Sequence, residues 1–211
     1  MKILSFTYGL ASANMYVLLF GEQAVVIDPC CPWKETGLSN IMVKSALCTH
    51  GHFDHIAETD DIVSHFSCPV YISKEDSDML PDPDLNHASS FGLNIAVATV
   101  PSIFQSEVML PEDLNLSTEE GFKMRIIRTP GHTSGSVCFL FEFEDDDKKI
   151  MFTGDTLFKF GIGRTDLGGS DEDMQRSIDL LRSMDDDIEC YPGHGPSTNL
   201  MSEKRMNPFF F

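Results

Sequence analysis

His50-Gly51-His52-Phe53-Asp54-His55 places four side chains able to bind a metal within six consecutive positions. The stretch follows a short apolar strand, Ala46-Leu47-Cys48, which the spacing predicts as the end of a segment that starts as a helix tail near Ile41. It precedes residues 55 to 66, where Ile56, Thr59, Val63 and Phe66 recur at helical spacing and predict a helix with one buried stripe. The four groups therefore sit on a strand-to-helix connection. Imidazole and carboxylate together suit zinc and other first-row divalent ions, and Gly51 permits the sharp backbone path that lets alternate side chains converge. A polar surface loop is the ordinary alternative. By residue frequencies, HxHxDH arises by chance on the order of once in several thousand sequences of this length.

Working outward, three more residues join the set. The chain has seven histidines. His132 stands in Thr129-Pro130-Gly131-His132-Thr133 and His194 in Tyr191-Pro192-Gly193-His194-Gly195, each after a predicted strand. Alone, either would be read as a turn residue; beside HxHxDH they become candidate ligands. Asp155 follows Phe152-Thr153-Gly154 at a strand end, where its carboxylate can bridge two ions. Three ligands per ion plus one bridging carboxylate is the inventory of a two-metal hydrolytic site. His65, between Val63 and Phe66, and His87, in a poorly patterned stretch, read as ordinary polar positions. HExxH is absent, so no glutamate base of the metalloprotease type is at hand, and no GxSxG elbow supports serine catalysis.

Residues 14 to 20 and 24 to 28 flank Gly21-Glu22-Gln23 and predict a hairpin ending at Asp28-Pro29. Val70-Tyr71-Ile72 reads as a strand, and Asp76 to Gln105 as an irregular insertion of undefined role. Residues 123 to 128 read as a strand. In residues 136 to 143, Val137, Phe139, Phe141 and Phe143 share one face, and the EDDDKK turn leads to Ile150-Met151-Phe152 as a second hairpin. Ser170 and Asp173 predict a capping box for a helix over 171 to 184 whose buried side carries Met174, Ile178 and Leu181. No repeat or low-complexity linker divides the chain, so residues 1–211 are expected to form a single domain. Strands flowing through polar loops into helices suit two packed sheets with helices outside.

The 211 residues, 42% of them hydrophobic, can bury a sizeable core. The net charge of −18, from 33 acidic and 15 basic residues, makes nucleic acid and anionic membranes poor partners. Two metal ions would add about four positive charges locally and oppose that sign. The N-terminal residues turn polar too soon for a secretory signal, and no apolar run nears the roughly 20 residues that span a bilayer. Six cysteines without a CxxC pair read as reduced, mostly buried thiols, so a cytoplasmic location is expected. Cys48 and Cys138 alternate within apolar strands and read as core.

In the order THGHFDH, TPGHTSGS, GDTLF and PGHG, over most of the chain, the sequence resembles the metallo-β-lactamase superfamily. The resemblance implies an α/β fold, the four-layer αββα sandwich, with one metal held by His50, His52 and His132, a second by Asp54, His55 and His194, and Asp155 between them. Zinc is the first choice for both ions, with iron or manganese as alternatives. In the commonest zinc β-lactamases a cysteine stands where Asp155 stands here, which disfavours lactamase activity. GDTLFKFGIGRTD, PGHGPST and Asn207-Pro208-Phe209 are similar to the glyoxalase II branch, the hydroxyacylglutathione hydrolases, in its short single-domain form without a C-terminal helical extension.

That branch implies hydrolysis of a small thioester such as S-lactoylglutathione. A hydroxide bridging the ions would attack the carbonyl, and Asp54 would orient it. Arg164 matches a basic residue that contacts glutathione, but Asp166 stands where the pattern has an aromatic residue. Pairing of Arg164 with Asp166 or Asp155 is the competing reading. A mononuclear iron persulfide dioxygenase, which shares the GRTD stretch, is the rival enzyme, and a metal-stabilised interaction domain is the rival without catalysis. The sequence leaves the oligomeric state open.

Overall fold

The computed structural model describes residues 1–144 and 148–211. In chain order, β1 (Lys2–Tyr8), β2 (Ala13–Phe20), β3 (Gln23–Ile27), β4 (Met42–Leu47), β5 (Val70–Ile72) and β6 (Ser102–Ile103) lie side by side in one sheet. β1, β2 and β3 form an antiparallel meander; β3 through β6 run parallel. The second sheet contains β7 (Val108–Met109), β8 (Phe122–Arg128), β9 (Val137–Phe143) and β10 (Lys149–Gly154). A small ribbon follows, of β11 (Leu157–Phe158) and β12 (Gly161–Ile162); β13 (Glu189–Pro192) and β14 (Thr198–Asn199) then complete the second sheet in the order β14-β13-β10-β9-β8-β7. The helices are α1 (Phe53–Ile56), α2 (Thr59–Phe66), α3 (Asp171–Ser183) and α4 (Leu200–Met206).

The two-residue period of the strands builds the layers. Side chains alternate across a strand, so β2 sends Met15 and Val17 to one face and Tyr16, Leu18 and Phe20 to the other. The second set meets Phe122, Met124 and Ile126 of β8 and Phe139 and Phe141 of β9, which forms the core between the sheets. The outer face of the first sheet packs Val17, Val26 and Ala46 against Ile56 and Ile62. The outer face of the second packs Cys138, Leu140 and Met151 against Met174, Ile178 and Leu181 of α3 and Leu200 of α4. Helix, sheet, sheet and helix thus form the αββα sandwich expected from the motifs.

Several elements differ from the sequence expectation. No helix tail precedes Ala46: β4 is a strand from Met42 onward, flanked by the parallel partners β3 and β5, and that pairing overrides the helix-tolerant Met-Val-Lys-Ser-Ala composition. The helix expected over 55 to 66 starts at Phe53 and breaks after Ile56. The break follows from Glu58, whose N–H donates to the Pro29 carbonyl (2.9 Å) and leaves the helical ladder. Thr59 is buried in the stripe as expected, Ile62 joins it fully buried, and Val63 and Phe66 pack against the same core while partly exposed. β1 has no counterpart in the sequence reading. The second hairpin is present as antiparallel β9 and β10, while the acidic part of its turn, residues 145–147, lies outside the described residues.

The insertion is irregular as expected, with 3₁₀ turns at Ser77–Met79 and Ser89–Phe91 before it ends in β6. Ser170 caps α3 by accepting from the Asp173 N–H (3.2 Å). All six cysteines are buried and free of disulfide bonds, with Cys48 and Cys138 in the core. Among the described residues, no helix is long and apolar enough to cross a membrane.

Candidate metal centre

The ends of parallel strands and the loops after them collect at one edge of the sandwich. β4 delivers Thr49 and His50, and His52 is the last extended residue before α1 carries Asp54 and His55. The loop after β8 supplies His132, and the turn after β10 supplies Asp155. His194 follows β13, where Asn14 and Tyr16 of β2 hold the loop: the Asn14 side chain donates to the carbonyls of Pro192 (3.1 Å) and Gly195 (2.9 Å), and the Tyr16 hydroxyl donates to Pro192 (2.7 Å).

All seven residues singled out from the sequence meet here. His50, His52 and His132 form one group, His50, His55 and Asp155 a second, and Asp54, His55 and His194 a third; within each, the candidate ligand atoms lie within 4.8 Å of one another. His52 Nδ1 and His132 Nε2 are 2.8 Å apart, and His55 Nε2 and His194 Nε2 are 3.3 Å apart. Asp155 sits between the groups, with Oδ1 3.3 Å from His55 Nε2 and Oδ2 3.4 Å from both His132 Nε2 and His194 Nε2. Asp155 thus approaches histidines belonging to all three groups.

The hydrogen bonds behind the ring nitrogens test whether a metal fits. His55 Nδ1 faces Asp28 Oδ2 (2.9 Å), His132 Nδ1 the Arg164 carbonyl (2.6 Å), His194 Nδ1 the Ser12 carbonyl (3.3 Å) and His50 Nδ1 the Thr49 hydroxyl (3.0 Å). Each imidazole is thereby oriented through Nδ1 and turns Nε2 toward the cluster, the arrangement by which outer partners fix metal-binding histidines. The His50 Nε2 is buried without any hydrogen-bond partner, as is the His52 Nε2. Native interiors rarely leave such atoms orphaned, and for His50 a metal supplies the missing partner.

Electrostatics agree. Burial, reinforced by His55 and His132, pushes His50 well below its ordinary value, and burial with His132 pushes His52 down to about 3, so both stay neutral and ligand-competent. Burial opposes charge at His194, yet Asp155 and Asp54 overcome it and raise His194 to about 9. The carboxylates therefore call for positive charge at the centre, which divalent ions satisfy.

Three residues that position or border this centre were not recognised from sequence. Asp28, read as a hairpin end, accepts from the Thr49 N–H (2.7 Å) and hydroxyl (2.8 Å) besides facing His55. Asp76, at the start of the insertion, is fully buried and accepts from the Gly51 N–H (3.0 Å), the Gly135 N–H (2.8 Å) and the Thr133 hydroxyl (2.6 Å). It joins the two ligand loops. Gly51 is required by this closeness, since a Cβ there would stand 2.7 Å from Met79 Cβ. His87 lies beside His52, ring centroids 5.3 Å apart, and is a cleft residue instead of the ordinary polar position expected. His65 is exposed, with its ring against Phe66.

Above the centre opens a cleft of about 370 Å³. Arg164 lines it, and its Nε and Nη2 donate to the two carboxylate oxygens of Asp166, each at 2.5 Å. Arg164 pairs with Asp166 and not with Asp155, and it keeps its place on the cleft wall.

Residues 8–194 match the family model described as the metallo-beta-lactamase superfamily. The chain belongs to that superfamily. A Mycobacterium tuberculosis protein of uncharacterized function is 41% identical, covering 99% of this chain and 97% of the relative. The hydroxyacylglutathione hydrolase GloC of Haemophilus influenzae is 37% identical over 81% of this chain and 77% of its own length. Among solved structures, the B3 metallo-beta-lactamase BLEG-1 superposes with a TM-score of 0.83 at 29% identity, with 99% of each chain covered. TTHA1623 in a di-iron-bound form gives 0.79 at 30% identity, covering 98% of this chain and 99% of its own.

Proposed function

We propose that this chain is a metal-dependent hydrolase of small thioesters, with S-lactoylglutathione among its substrates, and that it works with two divalent ions, zinc by preference. The observation that carries this reading is the cluster of histidines and carboxylates that closes around Asp155 at the floor of an open cleft. His50, His52 and His132 would hold the first ion, Asp54, His55 and His194 the second, and Asp155 both. Such ions supply Lewis acidity, polarising a carbonyl and lowering the pKa of water toward neutrality.

The remaining work falls to the chain itself. Asp54 Oδ2 lies 3.3 Å from His194 Nε2 and borders the cleft, where it would orient the attacking water by accepting a hydrogen bond from it. Water adds to the acyl carbon, the carbon–sulfur bond breaks, and the products are a carboxylate and a thiol. Asp28 and Asp76 would hold the ligand loops through their hydrogen bonds, so that the reacting groups meet without reorganisation. Residues 1–211 would act as one domain.

Similarity to GloC supports thioester chemistry. Similarity to BLEG-1 supports a second reading, β-lactam hydrolysis, and the di-iron form of TTHA1623 keeps iron as a rival to zinc. Assay of the metal-loaded protein on S-lactoylglutathione, on a thioester of another thiol and on a chromogenic cephalosporin tests the proposal. Cleavage of thioesters that is lost on chelation is expected; cleavage of the cephalosporin alone would replace the reading with the lactamase.

A further inference from the structure

We propose that the cleft is built for thioesters whose acyl group is compact, apolar and uncharged, and that Phe91 of the insertion helps select it; this rests on the hydrolase reading. The argument begins with what lines the cleft apart from the metal-binding cluster. Ala11, Phe53, Phe91, Phe158, Ile162 and Leu167 give it a largely apolar wall. Phe158 stands against His194, ring centroids 5.8 Å apart, so part of that wall lies directly beside the reacting centre.

The insertion makes the wall on the His52 side and is pinned there. The Phe53 N–H donates to the Asn86 carbonyl (3.0 Å), and the buried Asn86 side chain accepts from the Ala88 N–H (3.0 Å) and donates to the Ile95 carbonyl (2.8 Å). Phe53 and Phe91 then meet with ring centroids 5.2 Å apart. His87 adopts the left-handed backbone, φ 67°, which histidine takes up more readily than most residues, and its ring lies beside His52. The wall is therefore preformed and does not await a ligand.

The charges at the rim of the cleft add little to that apolar wall. Among the described residues lining the cleft, Arg164 is the one arginine or lysine, and Asp166 occupies both its Nε and Nη2. At the rim, a carboxylate on the carrier would meet this exposed ion pair and no free cation, while the positive charge of the proposed ions stays at the floor of the cleft. The volume, about 370 Å³, lies near the low end for small-molecule pockets, so it holds a short acyl group and the neck of its carrier. A glutathione thioester such as S-lactoylglutathione would enter acyl end first, with its two carboxylates left at the exposed rim.

The test uses the metal-loaded protein and thioesters of one neutral thiol, N-acetylcysteamine, carrying acetyl, butanoyl or succinyl groups. Burial of a methylene raises kcat/KM by roughly fourfold, so butanoyl, with two more methylenes, should exceed acetyl about fifteenfold, and succinyl should fall at least tenfold below butanoyl. Phe91→Ala, at a half-exposed position, should cut the butanoyl-to-acetyl ratio about fivefold. Asp166→Ala, which releases Arg164, should raise kcat/KM for the succinyl thioester several-fold. Equal or faster use of succinyl by the unaltered protein would overturn the proposal, as would a ratio that Phe91→Ala leaves unchanged. Calorimetry with the uncleavable S-butyl and S-(3-carboxypropyl) thioethers separates this from the hydrolase reading. If no thioester is cleaved, that reading fails, while tighter binding of the butyl ligand still supports an apolar site and equal or weaker binding rejects it.

Discussion

Asp28 Oδ2 lies 2.9 Å from His55 Nδ1, and both side chains are buried. The contact ties the end of β3 to an imidazole on α1, although 27 residues separate them. Asp28 also takes two hydrogen bonds from Thr49, the residue before His50, so one carboxylate steadies two candidate ligands. Its left-handed backbone, φ 51°, is a conformation that aspartate tolerates better than most residues and that aims the carboxylate inward.

Replacing it should weaken metal binding more than folding. Partners behind metal-binding histidines typically contribute about 10- to 100-fold in affinity. Asp28→Asn is expected to lower affinity by about tenfold and Asp28→Ala by more, read by competition with a chromogenic chelator. Unchanged affinity in both variants would show that His55 is oriented without Asp28.

Asp76 joins the two ligand loops, and its loss leaves the buried Gly51 and Gly135 N–H groups without an acceptor and takes one of two hydroxyl partners from Thr133. Each stranded group costs roughly 1–3 kcal/mol, so Asp76→Ala should destabilise the fold by about 3 kcal/mol or more, and Asp76→Asn by less. Urea unfolding checks this. A loss below about 1 kcal/mol for Asp76→Ala would mean that the loops hold each other without it.

Asp60 gives the acid limb of stability. Partial burial would raise its pKa, but the Thr99 hydroxyl and the N–H groups of Ala98 and Thr99 outweigh burial and hold the carboxyl below its ordinary range. A carboxyl depressed in the folded state stabilises above its unfolded pKa of about 3.9, and that stabilisation fades as pH falls through the folded value. The stability gap between the unaltered protein and Asp60→Ala should therefore be widest near neutrality and shrink below about pH 4. A gap independent of pH between 3 and 7, read by denaturant unfolding, would contradict the role of the charge.

Asp54 was expected from the motif to orient the attacking water. Asp54→Asn should lower kcat by about 10²- to 10⁴-fold while part of the metal binding survives, since an amide is a poorer acceptor. Steady-state kinetics at measured metal content checks this. Turnover at the parent rate would remove Asp54 from the chemistry.

What the sequence revealed divides along physical lines. The HxHxDH connection was legible because its ligands lie within six residues, and His132, Asp155 and His194 because each ends a strand in a recognisable loop. β8, β9 and α3 were legible through unbroken periodicity. Of β4 only the apolar end, Ala46-Leu47, was legible, because Met42 and Lys44 carry no strand signature and only their neighbours β3 and β5 make a strand there. The break after Ile56 depends on the Pro29 carbonyl, far away in the chain. Asp28, Asp76 and His87 were illegible for the same reason: an aspartate at a turn and a histidine in an irregular stretch acquire a role only where the fold delivers them.

The central claim is a shared two-ion site, and metal stoichiometry of the purified protein beside Asp155→Ala tests it most directly. Asp155 carboxylate oxygens lie 3.3 Å and 3.4 Å from nitrogens of His55, His132 and His194, so one substitution would reach both proposed ions. Elemental analysis after saturation should give close to two divalent ions per chain, and Asp155→Ala should bind both more weakly while losing activity. Saturation at a single ion, iron above all, or an Asp155→Ala protein that keeps two ions and full activity, would contradict the account.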